Sequence, residues 1–150
     1  MTNNDDARRA ANVELAEKLM SKFGVDTAFW WPNLHDDLVL EFPTGGTVGL
    51  YERVVGKAKS QAHLGMVDEM LPGWHASNIK VRPMLDPDLV LIEYEGACDS
   101  PNGPYRQHYF TLMTFKDGKL INFREHFDTA MFERCFGSAA ARQATIGSAA

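Results

Sequence analysis

The sequence predicts an α+β fold in which helices pack on one face of a curved antiparallel sheet. The first third of the chain shows helical periodicity, and the second half shows a run of strands separated by short turns. Strands joined by short turns pair antiparallel, and such a sheet buries one face against the helices. With 150 residues the chain can form one ordinary core. We expect a single domain over residues 1–137 and a flexible tail over residues 138–150.

Helical and strand patterns follow one another in the first half of the chain. Val13, Ala16 and Leu19 recur at helical spacing over residues 5–23, and Gly24 follows at a favoured stop position. A short aromatic helix comes next, because Asp26 can cap it. The elements predicted after the first helix are this second helix over residues 27–31, a strand over 38–42, a weaker strand over 48–55 and a third helix over 57–71.

The second half is expected to form a four-stranded antiparallel meander. Clusters of Pro, Gly, Asp and Asn mark the turns between its strands. The strands are predicted over residues 74–85, 89–98, 106–116 and 119–127. Asp128 can then cap a final helix that extends to Phe136.

Asp117-Gly118 predicts a two-residue hairpin between the last two strands, and such a turn sets their register. Without a bulge, this register places Phe110 opposite Glu125. Arg106, His108 and Phe110 are then expected on the face that carries Glu125, with His108 one diagonal step from the carboxylate. A bulge would shift the register by one residue and turn every side chain to the other face.

Glu125 is the most informative residue, because alternation along its strand places it with Phe123 and Phe127. Moving a carboxylate out of water raises its pKa toward the range that suits acid/base catalysis. The strand alone is equally compatible with a structural ion pair, since buried ion pairs also perturb pKa values. The ionisable residues expected beside Glu125 on the preceding strand favour a functional pocket.

His63 shares a stripe of the third helix with Met66 and other apolar residues, so we expect it to face the pocket that contains Glu125. The alternative is a core histidine whose hydrogen bonds are satisfied. We therefore predict Glu125 and His63 as catalytic residues. The substrate-binding residues predicted around them are His108, Arg106, Phe110, Phe123, Trp30 and Met66.

The opposite face of the last hairpin is predicted to be a homodimer interface. Its mixture of aromatic, methionine and basic side chains is typical of an interface rather than of a solvated face. The alternative is a simple core against another element. The residues of this predicted stripe are Gln107, Tyr109, Thr111, Met113 and Phe115 with Leu120, Asn122, Arg124 and His126.

Composition and motifs argue against several classes of function. The formal net charge is −5 with interspersed signs, so no basic stripe is offered to nucleic acid or to a membrane. Cys98 and Cys135 form no disulfide framework or metal-binding spacing, and the sequence contains no phosphate loop or dinucleotide motif. We therefore expect no metal and no cofactor. The polar, acidic start differs from a signal peptide, which predicts a cytoplasmic protein that acts on small molecules.

Several segments resemble the SnoaL-like group of the nuclear transport factor 2-like superfamily, and within it the phenazine-biosynthesis A/B family. These segments are Gly56-Lys57-Ala58-Lys59-Ser60-Gln61-Ala62-His63, Pro72-Gly73-Trp74, Tyr105-Arg106-Gln107-His108-Tyr109, and Lys116-Asp117-Gly118-Lys119-Leu120-Ile121 with Arg124-Glu125. The likeness covers about residues 56–129, whereas residues 29–35 and 38–42 do not follow the pattern of the phenazine family.

The resemblance implies a conical α+β barrel, a homodimer and a pocket in which Glu125 is the acid/base group. His63 would contact a substrate carboxylate or assist proton transfer. In the phenazine family such a pocket condenses two amino-ketone cyclohexene carboxylates. The resemblance thus implies a cofactor-independent enzyme of secondary metabolism, which catalyses condensation, cyclisation or isomerisation next to the carbonyl of a cyclic ketone or carboxylate-bearing substrate. The alternative is a non-catalytic ligand-binding or dimerisation module of the same fold.

Overall fold

The computed structural model describes residues 3–140, and this part of the chain forms helices and strands in the predicted order. The elements are α1 Asn3–Lys22, α2 Thr27–Asn33, β1 Leu34–Glu41, a 3₁₀ turn Gly45–Val48, β2 Arg53–Val55, α3 Lys57–Met70, β3 His75–Pro83, β4 Leu89–Ser100, β5 Gly103–Lys116, β6 Lys119–Phe127 and α4 Thr129–Phe136. The predicted α+β fold is confirmed. Most of the predicted tail, residues 141–150, lies outside the described residues, and the division into domain and tail stays a prediction.

The described strands form one curved sheet in the order β2-β1-β6-β5-β4-β3. Every neighbouring pair is antiparallel as predicted, except that β1 and β6 are parallel. The exception arises because the chain leaves β1, passes through α3 and the other strands, and returns beside β1 in the same direction. Helix α1 packs against β3 and β4, α3 against β1 and β2, and α4 against β5.

No helix within residues 3–140 is both long enough and apolar enough to cross a membrane. The cytoplasmic location predicted from the sequence stays a prediction.

A β-bulge in β6 decides which side chains of the last hairpin face the core. The predicted two-residue turn forms, and Phe115 pairs with Leu120 as a straight register requires. Thr114, however, pairs with Asn122, so Ile121 is an extra residue on its strand. A bulge of this kind shifts all later pairs by one position.

The bulge reverses the predicted orientation of β5. Thr111, not Phe110, lies opposite Glu125. The prediction that Arg106, His108 and Phe110 share a face with Glu125 is therefore wrong, since one residue of shift turns each β5 side chain to the other side. Phe110 is half exposed on the outer face of the sheet.

The predicted interface stripe is corrected for the same reason. Its members on β5 face the core, as does Leu120 at the bulge, which is the alternative that the sequence left open. Arg124 and His126 of β6 remain on the outside. The buried residues of β5 are Tyr105, Gln107, Tyr109, Thr111, Met113 and Phe115.

Two apolar clusters lie on the inner side of the sheet. The larger cluster joins α1 and α2 to the strands, for example through Leu19, Trp30 and Leu38. The smaller cluster surrounds Phe132 of α4 and contains both cysteines, which are free thiols. Trp74 and Phe127 pack against both clusters and connect them.

The indole of Trp74 lies directly over Gly96 of β4. A Cβ atom at position 96 would lie 2.5 Å from the indole Nε1 and 2.7 Å from Cε2. Trp74 also meets Tyr94 and Tyr109 edge to face, with ring centroids 6.2 and 6.1 Å away. Because a ring cannot yield as a flexible chain end can, Gly96 is required for this aromatic packing.

We predict that Gly96→Ala lowers the free energy of unfolding by about 1–3 kcal/mol, the usual range for overpacking a core. Chemical denaturation measures the effect. Gly65→Ala on α3 is the matched control, because a Cβ at that position meets nothing within 4 Å. In a helix that control should be neutral or stabilising by up to about 1 kcal/mol. Equal stability of the two variants would contradict the close packing of Trp74.

Candidate active site

A cavity of about 520 Å³ lies between α3 and the inner face of the sheet. Its walls are mainly aromatic and aliphatic, and its polar groups come from a few side chains. This combination of a large apolar volume and few polar groups is typical of small-molecule sites. The polar side chains that matter most are His63 on α3, Tyr105 and Tyr109 on β5, and Glu125 on β6.

A second, smaller chamber of about 70 Å³ adjoins this cavity. Glu125 and Tyr109 line both spaces, so the carboxyl group lies between them. Trp30, Trp74 and Asp68 line the smaller chamber but not the larger cavity. Burial raises the pKa of the Asp68 carboxyl above its ordinary value.

Neighbouring strands hold the Glu125 carboxyl group from one side. Tyr94 of β4 donates a hydrogen bond to Oε2, and Thr111 of β5 donates a second one over 3.2 Å. Thr111 can do so because the bulge at Ile121 places it directly opposite Glu125. Within residues 3–140 both hydrogen bonds use Oε2, so Oε1 is the oxygen left for a ligand.

The Glu125 carboxyl is 8% exposed, and burial raises its pKa from 4.5 to about 7. The hydrogen bonds from Tyr94 and Thr111 oppose this rise. No lysine or arginine of the described chain forms an ion pair with it, which removes the structural ion pair that the sequence left open. A carboxyl group with a pKa near 7 can both take up and release a proton at neutral pH.

Three tyrosines extend the polar cluster away from Glu125. Tyr94 and Tyr109 stack with centroids 4.7 Å apart and an interplanar angle of 11°. The Tyr109 and Tyr105 hydroxyl groups lie 3.1 Å apart. Burial raises the pKa of Tyr105 to about 12 and raises the pKa values of Tyr94 and Tyr109 well above 10.0. All three therefore remain neutral hydroxyl groups beside the carboxyl group.

Gln107 fastens the end of β6 to this cluster. Its Nε2 donates to the Asp128 carbonyl over 2.9 Å and to the Tyr105 hydroxyl over 3.2 Å, while its Oε1 accepts from the Asp128 N–H over 3.0 Å. The Asp128 side chain in turn caps α4, as predicted, by accepting two backbone N–H groups. Phe132 of that helix lines the large cavity.

His63 lines the large cavity together with Glu125. Its ring packs against Phe42 and Tyr51, with centroids 5.3 and 5.9 Å away. Its Nδ1 is buried and has no hydrogen-bond partner within the described residues. Burial lowers the His63 pKa below 6.5, so the imidazole is neutral at neutral pH. A ligand in the cavity is the natural partner for the unpaired nitrogen.

The structure places the remaining predicted residues in three different regions. Phe123 and Met66 line the large cavity, and Trp30 lines the small chamber. Arg106 and His108 lie on the outer face and do not reach Glu125. Arg106 donates instead to the backbone oxygens of Cys98 and Tyr105, and the His108 Nδ1 lies 3.9 Å from Glu95. Phe110 is likewise outside the cavity, as the bulge requires.

Sequence reasoning missed Tyr94, Thr111 and Tyr109 as neighbours of Glu125. Tyr94 alternates with the buried Val90 and Ile92 along β4, which was an available signal for an inward side chain. Thr111 and Tyr109 could be placed inside only once the bulge was known.

Comparisons with known proteins identify the fold of the chain. No protein-family profile matches the chain. An uncharacterised PhzA/B-like protein of Pseudomonas aeruginosa is 26% identical over 105 residues, which cover 69% of this chain and 73% of that protein. The crystal structure of a phenazine biosynthesis-related protein from Pseudomonas aeruginosa superposes with a TM-score of 0.80 and 24% identity, covering 90% of each chain.

Two further solved structures show the same architecture. TerC, co-crystallised with polyporic acid, has a TM-score of 0.71 and 23% identity over 83% of this chain and 97% of its own. A protein of Jannaschia sp. CCS1, proposed to be a SnoaL-like polyketide cyclase, has a TM-score of 0.67 and 19% identity over 85% and 92%. The chain thus has the SnoaL-like, nuclear transport factor 2-like fold, and its resemblance to phenazine A/B-type proteins is confirmed.

The raised pKa of Glu125 predicts how stability depends on pH. The folded protein keeps this proton up to about pH 7, whereas the unfolded chain loses it near 4.5. Proton binding by Glu125 therefore contributes fully to the free energy of unfolding below pH 4.5, and this contribution is lost as the pH rises to 7. The difference between the two pKa values corresponds to about 3 kcal/mol.

Glu125→Gln should remove this dependence. Relative to the wild type, its free energy of unfolding should rise by about 3 kcal/mol between pH 4.5 and 7 and then level off. Urea denaturation across this range measures the difference. Glu17→Gln, at an exposed position of α1, is the control and should follow the wild type. If the free energies of unfolding of Glu125→Gln and the wild type differed by the same amount at every pH from 4.5 to 7, the Glu125 pKa would not be raised.

Proposed function

We propose that this protein is a small-molecule enzyme of secondary metabolism that moves protons next to a carbonyl group without a cofactor. Glu125 is the general acid/base, and His63 assists it. The observation that carries the proposal is a buried carboxyl group with a pKa of about 7 whose Oε1 is free, beside a large apolar cavity. Condensation, cyclisation and isomerisation all begin with such a proton transfer.

The chemistry follows from the placement of the groups. The Glu125 carboxylate takes a proton from the carbon next to the carbonyl, and the bond electrons move to the carbonyl oxygen as an enolate forms. The neutral His63 and the hydroxyl groups of Tyr105 and Tyr109 are the hydrogen-bond donors available for that oxygen. In a condensation or cyclisation the enolate carbon attacks a second carbonyl carbon, whose C=O π electrons move to its oxygen, and that oxygen takes the proton from Glu125. In an isomerisation the conjugated enolate instead regains the proton from Glu125 at a different carbon. Tyr94 and Thr111 hold Oε2 throughout and leave Oε1 to carry the proton.

The pKa near 7 supports this role because a general base works best when its pKa is close to the operating pH. The similarity to a structure co-crystallised with polyporic acid, and to a protein proposed to be a polyketide cyclase, supports a small cyclic substrate. We propose such a molecule, with a carbonyl group next to an acidic C–H bond, as the partner of the cavity.

We predict that the wild type accelerates hydrogen-to-deuterium exchange at the carbon next to the carbonyl of a cyclic ketone such as 2-tetralone. Glu125→Gln should slow this exchange about 100-fold or more, because it removes the proton acceptor. The wild-type rate should rise as Glu125 deprotonates and level off above pH 7. Proton NMR in deuterated buffer measures the rate.

Glu41→Gln is the matched control for this assay. Glu41 is a partly buried glutamate on β1 that accepts a hydrogen bond from Asn122 and does not line the cavity. Its substitution should leave the exchange rate unchanged. A protein that binds cyclic ketones but exchanges no proton faster than buffer would instead be a ligand-binding module, and the catalytic role of Glu125 would be rejected.

We also propose that the protein forms a homodimer through the outer face of the sheet. Phe110, 50% exposed, lies there beside His108 and near Arg124 of the neighbouring strand. Exposed aromatic and arginine side chains are enriched in interfaces. The proposal keeps the face of β6 that the sequence indicated and replaces its β5 partners with the residues that the bulge turns outward.

We predict that Phe110→Glu makes the protein monomeric at micromolar concentration, since a two-fold interface contains each substitution twice. Light scattering coupled to size-exclusion chromatography measures the mass. Leu85→Glu is the control, because Leu85 is 86% exposed in the turn after β3 and lies away from this face. A monomeric wild type, or a Phe110→Glu variant that stays dimeric, would rule out this interface.

A further inference from the structure

We infer that the large cavity takes an uncharged cyclic or aromatic ketone and rejects ligands that carry a carboxylate into it. This inference rests on the proposed function, because it names the substrate class of the same site. It separates this chain from the carboxylate-bearing substrates that the resemblance to the phenazine family implies.

The first argument is that the cavity has no cation. Of the described residues that line it, none is a lysine or an arginine. Lys59, one turn before His63 on α3, is exposed and does not line the cavity. A carboxylate loses its water on entering such a space. Without a cation, His63 and the Tyr105 and Tyr109 hydroxyl groups, which already hydrogen-bond to each other, compensate for only part of that loss.

The second argument concerns His63, the histidine that lines the cavity among the residues that the structure describes. Burial lowers its pKa, and no carboxylate of the described chain pairs with it to stabilise a positive charge. The imidazole therefore offers a hydrogen bond rather than a charge. Its buried and unpaired Nδ1 suits a single carbonyl or hydroxyl group of a ligand.

The third argument is that Glu125 repels an anion once it is ionised. Its carboxylate and a ligand carboxylate would share a low-dielectric space with no counter-charge between them, which is unfavourable. The other titratable groups that face this space are acidic or neutral, so they add no positive charge to the cavity. In the large cavity they are Tyr51 after the 3₁₀ turn, Glu69 on α3, and Tyr105 and Tyr109 on β5, while Asp68 and Tyr94 face the adjoining chamber.

The walls indicate a flat ligand. Phe42, Phe123, Phe127 and Phe132 present their rings to the cavity from the segment after β1, from β6 and from α4. Aromatic faces pack well against planar rings. The volume of about 520 Å³ lies within the range for molecules of a few fused rings.

The test compares two ligands that share a ring system and differ in charge, namely 2-acetylnaphthalene and 2-naphthoate. Their affinities for the full chain are measured by isothermal titration calorimetry at about pH 8.5, where Glu125 is ionised. We expect the ketone to bind at least about ten-fold more tightly than the carboxylate, the scale of one uncompensated buried charge after solvent relaxation.

Two variants assign the cause. At about pH 8.5, Glu125→Gln should reduce the ratio of the affinity for 2-acetylnaphthalene to the affinity for 2-naphthoate. In the wild type, lowering the pH to about 5.5 should reduce the same ratio, because Glu125 is then neutral. Met66→Lys places a cation at the half-exposed rim of the cavity and should strengthen binding of 2-naphthoate about ten-fold or more. Met66→Gln is its uncharged control and should not.

Equal or tighter binding of 2-naphthoate by the wild type at about pH 8.5 would overturn the inference. In that case the exchange assay with 2-tetralone still decides the proposed function by itself. Failure of both naphthalene ligands to bind would also overturn the inference. Absence of exchange with 2-tetralone would remove the proposed function whether or not the naphthalene ligands bind.

Discussion

The desolvation of a single carboxyl group, that of Glu125, is the constraint on which the arrangement of the site depends. A carboxylate that leaves water needs hydrogen bonds or a cation, and within residues 3–140 this one has two hydroxyl donors and no cation. The two donors come from adjacent strands, so the sheet itself provides them. The carboxyl group responds to the incomplete compensation by holding its proton up to neutral pH.

The bulge at Ile121 is the structural feature that makes this arrangement possible. It turns Thr111 and Tyr109 toward Glu125 and turns Phe110 outward. Tyr109 in turn stacks on Tyr94, the other donor, because the regular pairing of β4 with β5 sets the two residues opposite each other. One extra residue in one strand therefore determines both the polar composition of the cavity and the character of the outer face. Without it, the inner face of β5 would present an arginine and a histidine to the carboxyl group.

Much of the fold could be predicted from the sequence because local signals agree with the tertiary structure. Apolar periodicity located the helices, and the Asp117-Gly118 turn defined the last hairpin. The inward orientation of Glu125 also followed from its alternation with Phe123. These features depend on a few neighbouring residues, and the chain alone contains that information.

The composition of the site could not be predicted, since it depends on long-range pairing. At the bulge, Leu120 and Ile121 are both apolar and either could face the core, so the local pattern does not mark the extra residue. The choice follows from packing against other elements, including the parallel pairing of β6 with β1. For the same reason, the sequence assigned Arg106 and His108 to the site.

The hydrogen bonds of Gln107 have a mechanical consequence for the cavity. They hold both backbone groups of Asp128 and thereby tie the start of α4 to the strand that carries Tyr105 and Tyr109. The wall formed by α4 is therefore fastened to the strands that surround Glu125. Tyr51 and Met66 also line the cavity, and both are more than half exposed. The solvent-facing part of the cavity thus lies beside Tyr51 and Met66, away from the hydrogen-bonded junction of β5, β6 and α4.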